Sequence, residues 1–388
     1  MRILFFNYEF PPLGAGAGNA SFYLLKEYAK IPNIEMDFVT SSIDENYHRE
    51  EIGGGVVLHR LPIGKNKENL HFQSQKDLIV YSWRAFLFAQ KLTREKKYDA
   101  THSFFTVPCG FLSFVLKFQK KIPYIVSLRG SDVPGYSDRF AFLYIFLKPI
   151  IWFIWKNADF VVANSQGLKE LALKTNQKQD IKIIYNGVDI HDFTPSESKN
   201  SELFIITNGA TRVTHRKGLD YLIRAVAKIV LKHNNVQLKI MGDGNAKEDL
   251  EKLIKELHVE ENVKLIGRVP REQTSPFYKE ASVFVMSSLN EGMSNAMLEA
   301  LASGLPLIST KTGGADELIT EGENGFFVRM KNSDDIAEKL QLLIDDHETQ
   351  KKMGQMSRLR AEQMSWKVVA NQYVELYKTI DNSRKMNG

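Results

Sequence analysis

Cysteine is all but missing. Cys109 stands alone among 388 residues, which excludes an internal disulfide, fits a reducing compartment, and leaves Cys109 to act as a small buried hydrophobe. No apolar run reaches the ~20 residues of a membrane-spanning helix; the most apolar one, Phe140–Lys156, is interrupted by Lys148-Pro149. No secretory signal is legible: Arg2, a short apolar run from Ile3 to Phe6, and the polar Asn7 and Glu9 follow Met1, so the expectation is a cytoplasmic protein. Charge of one sign is also scarce. The excess of +5 suits a phosphorylated substrate or an anionic membrane surface, and is too diffuse to argue for nucleic acid. A composition 43% hydrophobic and 25% charged leaves no room for a long disordered tail, and 388 residues are too many for one ordinary core. Two domains are expected.

What is present is alternation. Ile3–Asn7, Met36–Thr40, Val56–Arg60, Ala100–Ser103, Ile122–Leu128 and Phe160–Ala163 read as strands, with helical patterns between them, as around Leu78–Lys91. That pattern means a parallel sheet with helices on both faces. The first strand enters Pro11-Pro12-Leu13-Gly14-Ala15-Gly16-Ala17-Gly18-Asn19 and then a helix through Ala29. Small residues there let backbone N–H groups approach a phosphate, which makes Gly14 and Gly16 candidates, though the match to G-x-G-x-x-G is imperfect. The second strand ends in Thr40-Ser41-Ser42 without the acidic residue of a dinucleotide site, which argues against a dehydrogenase.

Two later strand ends are polar: Thr101-His102-Ser103 and Ser127-Leu128-Arg129-Gly130-Ser131-Asp132. His102 is either a satisfied structural histidine or a catalytic group. Arg129 and Asp132 either stiffen a turn as an ion pair or belong to a site. Phe140–Lys156 is either a kinked buried helix or an interfacial segment with Trp152, Trp155, Lys148 and Lys156 at headgroup level.

The polar, strand-free stretch Phe193–Ser201 marks a boundary, giving domains at 1–195 and 196–365. The second begins with a strand at Leu203–Asn208 and a basic loop through Arg212, His215, Arg216 and Lys217-Gly218, before a helix from Leu219 to about Lys232. Cations at a helix start either grip a diphosphate or are merely solvated. Strands then end in Gly242-Asp243-Gly244, Gly267-Arg268-Val269 and Thr312-Gly313-Gly314. Between them, after the buried run Ala281–Met286, comes Ser287-Ser288-Leu289-Asn290-Glu291-Gly292-Met293-Ser294-Asn295, then a short helix holding Glu299 and closed by Gly304. Ser294 or Asn295 can cap that helix, and Gly304 can end it in a left-handed conformation. A polar loop at the carboxyl end of a parallel strand is where such proteins bind ligands. Two glutamates there suit a ligand that carries hydroxyls as well as phosphates.

In this order and spacing the motifs resemble a retaining glycosyltransferase of family four, with E-x7-E at Glu291 to Glu299, Lys217-Gly218, Gly242-Asp243-Gly244 and Tyr185-Asn186-Gly187-Val188-Asp189. The resemblance implies the GT-B architecture: two Rossmann-like, doubly wound α/β domains facing a central cleft, with a C-terminal helix at 366–388 returning to the N-terminal domain. It implies transfer of a sugar from a UDP- or GDP-sugar donor to a lipid-linked or saccharide acceptor in cell-envelope polysaccharide, lipopolysaccharide or glycolipid synthesis. The expected place of action is the cytoplasm, with peripheral membrane contact through 140–156 at the inner face of the cell membrane. It assigns Glu299 to the ribose, and Glu291 with the backbone of Gly292, Met293, Ser294 and Asn295 to the donor sugar and phosphate. Arg212 and Lys217 meet the diphosphate; Gly14, Gly16, Gly242, Arg268 and Val269 complete donor binding. Catalysis is sought at His102, Arg129, Asp132 and Glu291. Many members carry histidine where this chain has Arg129; an arginine cannot act as a base, whereas it can bind an anion. The resemblance implies no cofactor and no metal, and no D-x-D triplet occurs. The rivals are a sugar-nucleotide epimerase of the same architecture and a non-catalytic binder of sugars or nucleotides.

Overall fold

The structure is a computed structural model and describes residues 1–14, 16–64, 70, 73–136, 141–196, 203–291 and 293–387. It divides into two units, Met1–Asn186 with Trp366–Gly388, and Gly187–Ser365. The polar stretch Phe193–Ser201 predicts the first boundary after Pro195. The stretch that follows Asn186 is instead tied to the second unit, where Arg358 donates to the carbonyls of Ile190 (3.1 Å) and Phe193 (2.9 Å).

The first unit carries β1 (Arg2–Phe6), β2 (Glu35–Ser41), β3 (His48–Gly53), β4 (Val56–Leu61), β5 (Ala100–Phe104), β6 (Tyr124–Leu128), β7 (Phe160–Ala163) and β8 (Ile181–Ile183). Their order is β3-β4-β2-β1-β5-β6-β7-β8, and every pair is parallel except β3 with β4. No apolar run marks β3 in the sequence. Its residues, His-Arg-Glu-Glu-Ile-Gly, are mostly exposed and carry the charges that protect a sheet edge. Gly53, Gly54 and Gly55 all take positive φ to turn it onto β4.

The C-terminal helix Trp366–Asn387 packs on this first unit, as the resemblance implied: Trp366 stacks flat on Tyr23 at 5.6 Å. The most apolar segment forms the helix Ala141–Asn157. No helix among the described residues is long and apolar enough to cross a membrane.

The second unit carries β9 (Phe204–Arg212), β10 (Val236–Asp243), β11 (Val263–Gly267), β12 (Val283–Met286), β13 (Leu307–Thr310) and β14 (Gly325–Val328). All are parallel, in the order β11-β10-β9-β12-β13-β14. β12 and β13 are buried along their whole lengths, as strands covered on both faces must be. The helix Leu219–Val230 buries Leu219, Leu222, Ile223, Val226 and Ile229 at helical spacing, one apolar stripe against the sheet. Strand order reverses between β9 and β12. Loops leaving the carboxyl ends of those two strands frame the switch point where open α/β sheets take their ligands.

Candidate active site

The loop after β9 and the loop after β12 are knitted together by their backbones. Leu289 N–H donates to the Arg216 carbonyl at 2.8 Å, and Ser287 Oγ donates to the Lys217 carbonyl at 3.1 Å. Gly218 sits at φ 59° with its Cα against the Ser287 carbonyl, where a side chain would collide. That close approach brings Lys217 Nζ onto Glu291 Oε1 as an ion pair, and Ser288 Oγ reaches the same oxygen at 3.4 Å. Both charged side chains keep about a fifth of their surface open, 22% and 18%. They are therefore fixed yet reachable.

Ser294 caps the helix Asn295–Ala302, its side chain accepting from Met297 N–H, and Gly304 follows at φ 67°. Met293, Ser294 and Asn295 are half-buried at this helix start, where unpaired N–H groups favour an anion. Gly292 lies outside the described residues. One turn into the helix, Glu299 is 8% exposed. Arg271 Nη2 lies 3.2 Å from its Oε1, and Tyr278 Oη donates to its Oε2 at 3.1 Å. Burial pushes the Glu299 carboxyl up, while Arg271 and the Tyr278 hydrogen bond pull it back. Glu291 and Glu299 thus have separate partners.

Gly242, at φ 126°, and Gly244 shape the end of β10, where Val213 N–H donates to the Asp243 carbonyl. Arg212 closes β9 opposite Asp243; its side chain lies outside the described residues' side chains. Arg268 and Val269 follow β11 at the same edge, exposed and half-buried.

In the first unit the candidates sit differently. His102, in the middle of β5, is 0% exposed. Its Nδ1 meets Tyr377 Oη at 2.7 Å and its Nε2 meets Ser127 Oγ at 2.8 Å. Burial first, then the Arg129 charge, holds its pKa well below the ordinary value, so the imidazole stays neutral. Arg129 stacks on Phe104 at 3.3 Å, and donates to Asn186 Oδ1 at 2.8 Å and Tyr373 Oη at 3.4 Å. Its Nε is buried without a hydrogen-bond partner. Asp132, 6% exposed, accepts from the N–H groups of Thr106, Arg129 and Gly130 and from Thr106 Oγ1. Gly14, at φ 82°, donates its N–H to the Leu70 carbonyl, and Gly16 opens the helix Gly16–Tyr28.

Two family descriptions match the chain in succession: Glycosyltransferase Family 4 over residues 14–192, and Glycosyl transferases group 1 over residues 189–360. The chain belongs to the family-4, group 1 glycosyltransferases. An uncharacterized glycosyltransferase of Methanocaldococcus jannaschii is 26% identical over 87% of this chain and 88% of its own. Among solved structures, sucrose-phosphate synthase from Thermosynechococcus elongatus superposes with a TM-score of 0.81 at 20% identity, covering 99% of this chain and all of that one. Anabaena HepE, solved in complex with UDP-glucose, gives 0.72 at 19% identity over 98% and 100% of the two chains. The fold is GT-B.

For this glycosyltransferase the first-unit expectations need correction. His102 is not an open strand-end imidazole, because the C-terminal helix covers it and both ring nitrogens are engaged. Arg129 and Asp132 do not form a side-chain ion pair: the carboxylate organises loop backbone, and the guanidinium turns to Asn186, Tyr373 and Phe104. Trp155 is not a headgroup anchor; it is fully buried, and its Nε1 donates to Thr106 Oγ1 at 2.9 Å. Arg271 and Tyr278 went unnoticed in the sequence. The available signal was a cation and a phenol between β11 and β12, the strands whose loops flank Glu299.

Proposed function

We propose that this glycosyltransferase moves a sugar, with retention, from a UDP- or GDP-sugar to an acceptor hydroxyl. The observation that carries the reading is the Lys217–Glu291 pair at the switch point between β9 and β12. An ammonium there neutralises the departing diphosphate together with the helix N–H groups at Met293 to Asn295 and Arg212, while the carboxylate accepts hydrogen bonds from sugar hydroxyls. Gly242, Arg268 and Val269 line the same edge for the rest of the nucleotide; Gly14 and Gly16 are assigned to the donor by resemblance alone. The UDP-glucose held by Anabaena HepE supports the donor class. In the step itself, the bond from the anomeric carbon to the phosphate oxygen breaks and the acceptor oxygen bonds on the same face. The acceptor proton passes to the leaving phosphate, so no protein nucleophile is needed, and the charge balance is assigned to side chains and not to a metal. A panel of UDP- and GDP-sugars followed by NMR of the product's anomeric proton tests this: the donor's configuration is expected in the product. Inversion would overturn retention, and sugar interconversion without an acceptor would make the protein an epimerase.

We further propose that the acceptor is a lipid-linked saccharide or envelope-polysaccharide precursor met at an anionic membrane surface. The helices Gln75–Glu95, Phe111–Lys120 and Ala141–Asn157 are neighbours in the first unit. They carry eight Lys or Arg against two carboxylates, an excess of six where the whole chain has +5. Ile79, Trp83, Phe118, Phe146 and Phe153 are each more than half exposed on them. Apolar side chains among lysines suit an interfacial contact. Each lysine at such a surface contributes about 1 kcal/mol. Replacing Lys148 and Lys156 by serine is therefore expected to weaken partitioning to phosphatidylglycerol vesicles roughly 30-fold, read by flotation. Wild-type protein that never floats with these vesicles would count against the proposal.

A further inference from the structure

Glu299 is a buried carboxylate with an uneven set of partners. Its two oxygens offer roughly four acceptor positions, two on each. Tyr278 takes one on Oε2 by a hydrogen bond, and the Arg271 guanidinium lies against Oε1 as its ion-pair partner at 3.2 Å. At least one position on each oxygen is left, as two neighbouring hydroxyls require.

The two partners are themselves held. Tyr278 is 1% exposed and meets the Phe193 ring edge-on at 5.7 Å. It belongs to the short helix Ser275–Glu280, whose Ser275 Oγ donates to the Asp192 carbonyl at 2.7 Å. Beneath the phenol lies Gly209 of β9, where any side chain would strike the Tyr278 hydroxyl. Arg271 opens the turn Arg271–Gln273 and is 23% exposed, against 10% for the Glu299 side chain. A rigid phenol and a cation therefore fix the plane of the carboxylate from the protein side.

We propose that Arg271 and Tyr278 are positioning residues that aim Glu299 at the vicinal 2′- and 3′-hydroxyls of the donor's ribose, and so make the enzyme select ribonucleoside over deoxyribonucleoside diphosphates. This rests on the reading that Glu299 meets the ribose. Neither residue touches the reacting atoms. Their effect is on which carboxylate oxygens face the ligand, and on keeping the group an acceptor: burial alone favours the protonated acid, and Arg271 is the charge that opposes it. Losing one hydroxyl then leaves a buried carboxylate oxygen short of a donor, which is what makes such a site discriminate.

The test uses the full chain and calorimetry. Whichever of UDP, GDP and ADP binds most tightly is compared with its 2′-deoxy form. Wild type is expected to prefer the ribonucleotide by about ten-fold or more. Arg271→Ala and Tyr278→Phe are expected to cut that preference to roughly three-fold or less, and Arg271→Lys to restore most of it. A melting curve for each variant shows that it is folded, and Arg271→Gln serves if the alanine variant is not. If Glu299→Ala leaves the preference of wild type intact, or wild type has none, the ribose assignment itself fails. If Glu299→Ala abolishes the preference while Arg271→Ala and Tyr278→Phe keep it in full, the positioning role is overturned and the ribose assignment stands. Equal weakening toward both ligands in the Arg271 and Tyr278 variants also overturns it.

Discussion

Lys217→Ala is expected to lower kcat/KM for sugar transfer about 10³-fold while the melting temperature stays within a few degrees of wild type. Two features argue for so large a kinetic effect. The ammonium stands at the switch point of the second sheet, in the loop that meets the one leading into the helix Asn295–Ala302, where the proposed donor's diphosphate would gather negative charge on leaving. It is also fixed in place before any ligand arrives, by its pair with Glu291 and by the hydrogen bond from Ser287 to its own carbonyl. Preorganised charge of this kind pays no reorganisation cost in the transition state. The stability effect is small for a different reason. Each side chain keeps about a fifth of its surface open, so Glu291 left without the ammonium can recover water, and the loss is held to about 1 kcal/mol. Glu291→Gln is expected to behave alike in turnover, because an amide replaces one of the sugar's acceptors by a donor. Donor turnover by coupled assay and thermal denaturation together check this. Turnover of either variant within ten-fold of wild type would remove the pair from the donor site.

Much of this arrangement was legible in the sequence, because it depends on neighbours along the chain. Strand β12, the loop with Glu291, the Ser294 cap and the left-handed Gly304 follow from an apolar run, a polar loop and local capping chemistry. What stayed hidden depends on partners far away. His102 is covered by Tyr377, 275 residues on, and Trp155 is fixed by Thr106, 49 residues back. Neither burial is written in the flanking residues. Tyr278 meets Glu299 across 21 residues and a strand. The helix His347–Glu362 has a mostly polar pattern: it buries Gln350, Met353, Gly354, Ser357 and Ala361, among which Met353 alone is a large apolar side chain, so little periodic signal is left.

Asp132→Ala is expected to destabilise the first unit by about 3 kcal/mol, which lowers its melting transition by roughly 6–12 °C for a unit of this size. Asp132 was a catalytic candidate in the sequence, yet its carboxylate is fully engaged: Oδ2 accepts from Thr106 N–H (2.8 Å) and Oγ1 (3.0 Å), Oδ1 from Arg129 N–H (2.9 Å) and Gly130 N–H (3.1 Å). Two opposing terms decide the sign. Burial pushes the carboxyl's pKa above the ordinary range, outweighing the pull of these donors, so deleting a charge there recovers some desolvation energy. Against that, three backbone N–H groups lose their acceptor in a site with little water, at about 1–3 kcal/mol each. The donors win. Thr106 also anchors Trp155, so the disturbance reaches the core beneath the helix Ala141–Asn157. Asp132→Asn separates the roles, since it keeps the shape and one acceptor oxygen while turning an NH₂ group toward donors. If the carboxylate organises the loop, Asn lowers the melting transition by an intermediate amount and activity falls only in step with the folded fraction. If it transfers a proton, Asn keeps the melting temperature of wild type and loses turnover outright, and that outcome would return Asp132 to the catalytic set.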